Sequence, residues 1–244
     1  MTYCVGIKVN EGLVLASDSR TNAGVDLVSI FRKMFVFDRP GDRMFALLTT
    51  GNLSVTQSVV SILSRRFGDT GAVHDLTAAG SMYDAACIVG NVMREVQDRD
   101  GPAIRTVGVD SGASVIFAGQ VRGDEARLYQ IYTPGNFVEA TPETPYFQNG
   151  EVKYGKPVLD RVIRPETSLI DAAKCALVSF DSTMRSNMSV GPPIDVLLYR
   201  TDTFEIGHRA SLEADDPYFS ALSAKWSESL NRAFLSVEDP DWPI

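Results

Sequence analysis

Apolar side chains alternate with small or polar ones at the beginning of the chain, over residues 3–9. A period of two is typical of a β-strand with one buried face. A turn at residues 10–12 leads into a second apolar run over residues 13–18, and residues 34–37 and 44–48 repeat this arrangement. The N-terminal part of the chain therefore predicts antiparallel strands joined by tight turns.

Apolar residues three and four positions apart indicate helices further along the chain. This spacing predicts helices over residues 55–67, 82–96 and 169–180. Pro157 and Pro217 indicate the starts of two more helices, around residues 158–162 and over 217–234, and strands are predicted over 114–121, 127–132, 194–199 and 205–210. Hairpin strands interrupted by pairs of helices indicate two antiparallel sheets packed face to face, with helices on both outer sides. We therefore predict an α+β fold, a four-layer αββα sandwich.

Length and composition fit one globular domain. The chain has 244 residues, 44% of them hydrophobic and 22% charged, and no Pro-, Gly- or Ser-rich linker divides it. We predict a single domain over residues 1–244. Its three cysteines lie far apart without a C-x-x-C pair, which favours buried thiols in a reducing compartment. With only two histidines, we predict no metal site.

The charge and the hydropathy pattern exclude some classes of partner. The formal net charge is -8, and an acidic protein repels the phosphates of nucleic acid. The N-terminus has no basic segment followed by an apolar run, and the chain has no stretch of about eighteen apolar residues. We expect no nucleic-acid partner, no membrane insertion and a cytoplasmic location.

Two familiar motifs are incomplete. Residues 150–157 match the spacing of a phosphate-binding loop up to Lys156, but Pro157 stands where a hydroxyl must reach Mg²⁺. We predict a turn there, before a helix that starts at Pro157. A Ser-His-Asp triad would need His74 or His208, and no G-x-S-x-G turn is present. We interpret both histidines as structural.

A threonine directly behind the initiator methionine indicates another chemistry. A hydroxyl needs a base to become nucleophilic, and an N-terminal threonine carries one on its own Cα, the α-amino group. Such amines titrate near pH ~8, well below lysine at about 10.4, so removal of Met1 would give Thr2 a usable base. Lys33 would lower the pKa of that amine further, and Asp18 could hold Lys33 charged. From these residues alone, a surface ion pair beside an ordinary second residue stays an alternative.

Four segments of the sequence carry a family resemblance: Thr2–Ile7, Gly12–Gly24, Phe31–Met34 and Thr50–Asn52. They resemble the β-type subunits of the proteasome family of N-terminal nucleophile (Ntn) hydrolases, and most of all the bacterial class called Anbu, the ancestral β-subunit. Further segments at residues 150–151 and 180–191 fall where that family has functional loops. The resemblance therefore covers most of the chain and implies the Ntn-hydrolase fold.

The resemblance also implies roles for single residues. Thr2 would be the nucleophile, with Asp18 and Lys33 as its partners. The backbone N–H of Gly51 would stabilise the oxyanion, and Asp181 would support the terminal amine together with a nearby serine. An apolar side chain of the substrate would fit the implied specificity pocket, which is walled by Thr21, Phe31, Phe35, Thr49 and Leu53.

Two departures from the family pattern lie close to the implied site. Between Gly24 and Lys33 the chain has one residue fewer than typical proteasome β-subunits. Glu151 follows Gly150 where the family often has a serine. A negative charge at that position would raise the pKa of the Thr2 amine.

A third departure concerns the supporting serine. Met184 occupies the position of the family's serine, three residues after Asp181, so Ser186 and Ser189 compete for the role. We prefer Ser189, because Val190-Gly191 follows it.

Together these features predict a proteasome-like threonine peptidase that hydrolyses a polypeptide or peptide substrate. The cycle requires no cofactor. The resemblance implies a self-compartmentalising homo-oligomer, ring-like or helical. Two alternatives stay open: an Ntn amidohydrolase acting on a small amide or peptide-like conjugate, and a non-catalytic scaffold subunit of the same fold. The chain enters its first strand at Tyr3 without the helical extension of α-type subunits, which favours the enzyme.

Overall fold

The computed structural model describes residues 2–22 and 28–242 of the chain. The strands within these ranges are β1 Tyr3–Val9, β2 Gly12–Asp18, β3 Arg20–Asn22, β4 Val28–Ile30, β5 Met34–Arg39, β6 Arg43–Gly51, β7 Ala113–Val121, β8 Arg127–Ile131, β9 Phe137–Glu139, β10 Tyr146–Gly150, β11 Ile194–Arg200 and β12 His208–Leu212. The helices are α1 Leu53–Arg66, α2 Met82–Thr106, α3 Val152–Val162, α4 Leu169–Ser186 and α5 Pro217–Leu235, with a short 3-10 helix at Leu76–Ala78.

The strands form two large antiparallel sheets. The first sheet has the order β10-β1-β2-β11-β12, and the second has the order β5-β6-β7-β8-β9. The remaining strands, β3 and β4, pair with each other as a separate two-stranded ribbon. Most neighbours in the second sheet follow each other along the chain, as expected for hairpins, whereas β10 and β11 reach the first sheet from the C-terminal half.

Buried clusters separate the layers. Side chains such as Leu15, Met44 and Leu197 fill the space between the sheets. Helices α1 and α2 cover the outer face of the second sheet, and α3, α4 and α5 cover the outer face of the first. Because both faces of each sheet are covered, β2 is buried at every position. The predicted α+β fold, a four-layer αββα sandwich, is confirmed.

Polar side chains determine where most helices begin. The side-chain oxygen of Asn52 accepts hydrogen bonds from two backbone N–H groups of the first turn of α1, so the helix starts directly after β6. Ser81, Ser168 and Asp216 cap α2, α4 and α5 in the same way. The cap residue of α3, Glu151, forms no such bond.

The start of α3 differs from the prediction. The helix begins at Val152 and contains Pro157, so residues 150–157 are the end of a strand and half of a helix instead of a turn. Proline removes one backbone donor from the helix interior. Packing outweighs this cost, because Leu159 is fully buried and Gly155 lies against the Tyr3 hydroxyl.

Other differences concern length. The short strands β3, β4, β9 and β10 were not predicted, since three to five residues carry little alternation. Helix α2 extends to Thr106 through Gly101 and Pro102, and β12 lies slightly later than predicted. None of the helices in the described ranges is long and apolar enough to cross a membrane.

Candidate active site

One end of the sandwich brings together the termini of strands that are far apart in the sequence. In the first sheet, the start of β1 lies beside the end of β10, with Tyr3 opposite Gly150, and the end of β2 lies beside the start of β11, with Asp18 opposite Ile194. In the second sheet, the end of β6 at Gly51 lies beside the start of β7. We call this the site end, because it contains Thr2.

Asp18 and Lys33 form a buried ion pair at the site end. Lys33 Nζ donates to Asp18 Oδ1 at 2.6 Å, and the exposed side-chain fractions are 6% for Lys33 and 0% for Asp18. The ammonium also donates to the backbone oxygen of Arg20 at 2.6 Å. The backbone N–H of Tyr3 donates to the same oxygen of Asp18 at 3.0 Å. The pair is therefore connected to the residue that directly follows Thr2.

The Asp18 carboxylate is under opposing influences. Burial raises the pKa of this carboxyl above its ordinary value, and it outweighs the Lys33 ammonium and the Tyr3 N–H, which lower it. Its second oxygen, Oδ2, is buried and has no hydrogen-bond partner within residues 2–22 and 28–242. The site end therefore contains an acceptor that is free to bind another donor.

Thr2 lies half-buried immediately before β1. Its carbonyl oxygen accepts a hydrogen bond from the backbone N–H of Glu151 at 2.8 Å. Among the described residues, the hydrogen bonds of Lys33 and Asp18 go to each other and to the backbone, and none joins the Thr2 hydroxyl. Met1 lies outside the described residues, as do residues 23–27, which include part of the segment between Gly24 and Lys33.

Gly51 ends β6 in a conformation that favours glycine. Its φ is +98°, and a Cβ atom at this position would lie 2.3 Å from the carbonyl oxygen of Gly112. That oxygen accepts a hydrogen bond from the backbone N–H of Asn52 at 2.8 Å. The backbone is thus held in place on both sides of Gly51, which is itself exposed.

The residues predicted to wall the pocket fall into two groups. Thr49 is buried beside Lys33, whose carbonyl oxygen accepts from the Thr49 N–H at 2.9 Å. Phe35 packs against the cluster between the second sheet and its helices, and Leu53 opens α1. The other two, Thr21 on β3 and Phe31 after β4, belong to the β3–β4 ribbon, and the Phe31 N–H donates to Ser19 O at 2.9 Å.

The two predicted amine supports differ in their surroundings. The carboxylate of Asp181 is buried and accepts hydrogen bonds from Ser223 Oγ at 2.6 Å and from Arg185 Nε at 3.2 Å. These contacts connect α4 with α5. Ser189 lies in the loop before β11, and Arg20 Nη1 holds that loop through Met188 O at 2.8 Å.

Two contacts at the site were not predicted from the sequence. Arg20 receives Lys33 on its carbonyl oxygen and binds the Ser189 loop with its guanidinium. Strand β10 delivers Glu151 to the carbonyl of Thr2. No role was predicted for Arg20, whereas Glu151 was expected near the terminal amine but without its hydrogen bond to the Thr2 carbonyl. No group of three or more His, Cys, Asp or Glu side chains in the described ranges could hold a metal ion.

Two helix-covered antiparallel sheets, with a threonine immediately before the first strand and a buried Asp-Lys pair bonded to the residue after that threonine, define a proteasome-like β-subunit fold. Comparison with solved structures agrees, and the chain belongs to the Anbu (ancestral β-subunit) family. Anbu from Yersinia bercovieri shares 44% sequence identity with a TM-score of 0.92, covering 99% of this chain and 100% of that one.

Further Anbu structures match equally well. A Gly-1 mutant of Anbu from Hyphomicrobium sp. strain MC1 is 46% identical with a TM-score of 0.92, over 99% of this chain and 100% of that one. The helical assembly of the Anbu complex from Pseudomonas aeruginosa is 45% identical with a TM-score of 0.91, over 98% of each chain. Comparisons with protein-family models and with curated proteins give no match.

Proposed function

We propose that the protein is a threonine peptidase of the N-terminal nucleophile type, with Thr2 as the nucleophile after removal of Met1. The observation that carries this proposal is the buried pair of Lys33 and Asp18, which shares its carboxylate oxygen with the N–H of Tyr3. Burying an ion pair costs free energy. Because this pair is hydrogen-bonded to the residue that follows the threonine, a catalytic role is favoured over a structural one.

In the proposed cycle, the α-amino group of Thr2 takes the proton of its own hydroxyl, and Oγ attacks the carbonyl carbon of a peptide bond. The backbone N–H of Gly51 stabilises the oxyanion. The amine returns the proton to the leaving nitrogen, and water then hydrolyses the ester. Lys33 supplies positive charge near the amine, and Asp18 orients Lys33. No cofactor takes part.

Ser189 supports the site in this proposal, because Arg20 ties its loop to the region of Lys33. Asp181 acts through the contact of α4 with α5, since its carboxylate is occupied by Ser223 and Arg185. The pocket formed by Thr21, Phe31, Phe35, Thr49 and Leu53 takes an apolar side chain of the substrate.

We further propose that the substrate is a polypeptide or peptide and that the protein works as a homo-oligomer in the cytoplasm. The Anbu complex from Pseudomonas aeruginosa forms a helical assembly. At 45% identity over nearly the whole chain, the same mode of assembly is the one we expect here.

The test is the intact mass of the protein before and after reaction with an epoxyketone or a β-lactone. We expect a mass without Met1, and one inhibitor adduct that maps to Thr2. Thr2→Ala should form no adduct and lose at least about a thousandfold in peptide hydrolysis, because the nucleophile is gone. Efficient hydrolysis by protein that retains Met1, or by Thr2→Ala, would refute the proposal.

A further inference from the structure

The carboxylate of Glu151 is buried at the site end without a matching donor. Its Oε2 has no hydrogen-bond partner in the part of the chain that the structure describes, and 11% of the side chain is exposed. Lys153 is the one cation assigned to it there, at 3.9 Å, with 69% of the lysine side chain exposed to solvent. A contact this long with an exposed lysine contributes little.

The backbone places Glu151 directly against Thr2. The Glu151 N–H donates to the carbonyl oxygen of Thr2 at 2.8 Å, and the pairing of Tyr3 with Gly150 fixes the register. Gly150 has a φ of +87°, and a Cβ atom there would lie 1.8 Å from the same oxygen. Only glycine permits this approach, and the glycine at position 150 therefore allows residue 151 to lie close to Thr2.

Helix capping does not explain the glutamate. Residue 151 is the cap of α3, where Ser, Thr, Asp and Asn are the favoured types, and its side chain forms no capping bond. A buried carboxylate oxygen that lacks a donor is costly. The free α-amino group of mature Thr2 would be such a donor, and it exists only once Met1 is removed.

We propose that Glu151 is a positioning residue whose carboxylate accepts a hydrogen bond from the α-amino group of mature Thr2 and stabilises its ammonium form. This inference rests on the proposed function. The ammonium arises when the amine takes the hydroxyl proton of Thr2, and it disappears when that proton passes to the leaving nitrogen. Glu151 therefore acts on the base and does not touch the substrate.

The charge of Glu151 should change the pKa of the Thr2 amine. The other charged side chains at or next to the ends of the elements that lead to the site end are Asp18, Arg20, Arg32, Lys33, Asp110, Lys153, Asp181, Arg185 and Asp195. Asp18 with Lys33 and Asp181 with Arg185 are paired at close range, whereas Glu151 has, among the described residues, only the distant and exposed Lys153. A nearby carboxylate raises the pKa of an amine, so the neutral base forms at higher pH.

The experiment measures the pKa of the amine directly in the assembled protein. The chain is released from a fusion whose cleavage leaves Thr2 first, and the Cγ2 methyl signal of Thr2 is followed by NMR against pH. Its signal is assigned by its absence from Thr2→Ser. We expect Glu151→Gln to lower the pKa of the amine by about one unit, because a hydrogen-bonded opposite charge shifts a pKa by 1–3 units.

Glu151→Ser should lower the pKa of the amine by the same amount. Because serine is a favoured residue at the start of a helix, this variant replaces Glu151→Gln if the latter folds poorly. Glu143→Gln removes the same charge from an exposed position, and Lys153→Met removes the distant partner. Both substitutions should leave the pKa of the Thr2 amine at its wild-type value. Below neutral pH, Glu151→Gln should also react faster with a β-lactone than the wild type.

Superimposable titrations of wild type and Glu151→Gln would overturn the inference. So would equal responses to Glu151→Gln and Glu143→Gln, because the amine would then sense only the general surface charge. The titration requires no turnover. A wild type that never forms an adduct at Thr2 therefore contradicts the proposed function without deciding the role of Glu151.

Discussion

The two ends of the sandwich differ in how completely their buried polar side chains are hydrogen-bonded. At the end away from Thr2, which we call the far end, Gln120 is only 1% exposed. Its Oε1 accepts from Tyr199 Oη at 2.6 Å and from the Asp202 N–H at 2.8 Å. Its Nε2 donates to Asp124 O at 2.9 Å and to Asp202 Oδ1 at 2.6 Å. Every hydrogen-bonding position of this amide is used.

The site end leaves such positions open. Six buried side-chain atoms lack a partner in the described residues, and five of them belong to residues at the site end: Ser17 Oγ, Asp18 Oδ2, Thr21 Oγ1, Asn149 Nδ2 and Glu151 Oε2. Native proteins satisfy nearly all buried polar groups, so a local excess of unused acceptors needs an explanation. A satisfied network stabilises the fold, whereas unused acceptors around Thr2 are available to a liberated amine and a substrate.

Removing one charge at the site end should have the largest effect and tests this contrast most directly. Lys33→Met leaves Asp18 buried and unpaired, which should cost about 3 to 5 kcal/mol in the free energy of unfolding. Reaction with the β-lactone should be lost as well. Chemical denaturation at a fixed protomer concentration measures the first effect, and intact mass measures the second.

The double variant Asp18→Asn/Lys33→Met separates the two effects. Both buried charges are gone, so most of the lost stability should return while the reaction stays absent. At the far end, Gln120→Leu should lower stability by about 1 to 3 kcal/mol, because the N–H of Asp202 loses its acceptor, and leave the reaction with the β-lactone intact. If the double variant reacted with the β-lactone, or if Lys33→Met kept full stability, the proposed roles of the site end and the far end would be contradicted.

A second comparison uses two glycines with left-handed backbone, one at each end. Gly51→Ala forces a non-glycine residue to φ +98° with its Cβ against Gly112 O. We expect a loss of about 2 to 3 kcal/mol in stability. The adduct should form about tenfold more slowly or worse, because the N–H proposed to hold the oxyanion moves.

Gly123 is the matched control in the β7–β8 turn at the far end. It has φ +87°, but a Cβ there would meet nothing within 4 Å. Gly123→Ala should cost only about 1 kcal/mol and leave the rate of adduct formation unchanged. Equal effects of both substitutions on the rate would mean that the backbone at Gly51 has no special part in the reaction.

The fold was largely predictable because its signals are local. Alternation over residues 3–9 and the three-and-four spacing in α1, α2 and α4 are set by which faces are buried, and burial on both outer sides follows from that pattern. The start of α3 was not predictable, since Gly155 and Pro157 are poor helix formers and the helix depends on packing against Tyr3.

The site was predictable where strand ends or the family resemblance pointed to it. Asp18 and Lys33 were expected to pair, and they do. The surroundings of Asp181 depend on α5, more than forty residues further along the chain, so nothing near it in the sequence reveals its contact with Ser223. The burial of Glu151 likewise depends on the pairing of β10 with β1, strands separated by most of the chain.

The smallest expected effect concerns Asp124 at the far end. Burial raises the pKa of this carboxyl, but the N–H groups of Met82 and Glu125 and the charge of Arg127 outweigh burial, so the pKa lies below its ordinary value. The stabilisation is therefore present above pH ~4 and is lost as the pH falls through the lowered pKa. Asp124→Asn should cost about 1 kcal/mol at neutral pH, and the gap to the wild type should close in acid.

Urea denaturation of both proteins between neutral and strongly acidic pH measures this gap. Glu125→Gln is the neighbouring control, because its side chain is 78% exposed and its ion pair with Arg127 spans 4.0 Å, so it should show no gap at any pH. Adduct formation at Thr2 should be the same in all three proteins. If Asp124→Asn instead impaired that reaction while remaining folded, the far end would be coupled to the chemistry, and the contrast between the two ends would fail.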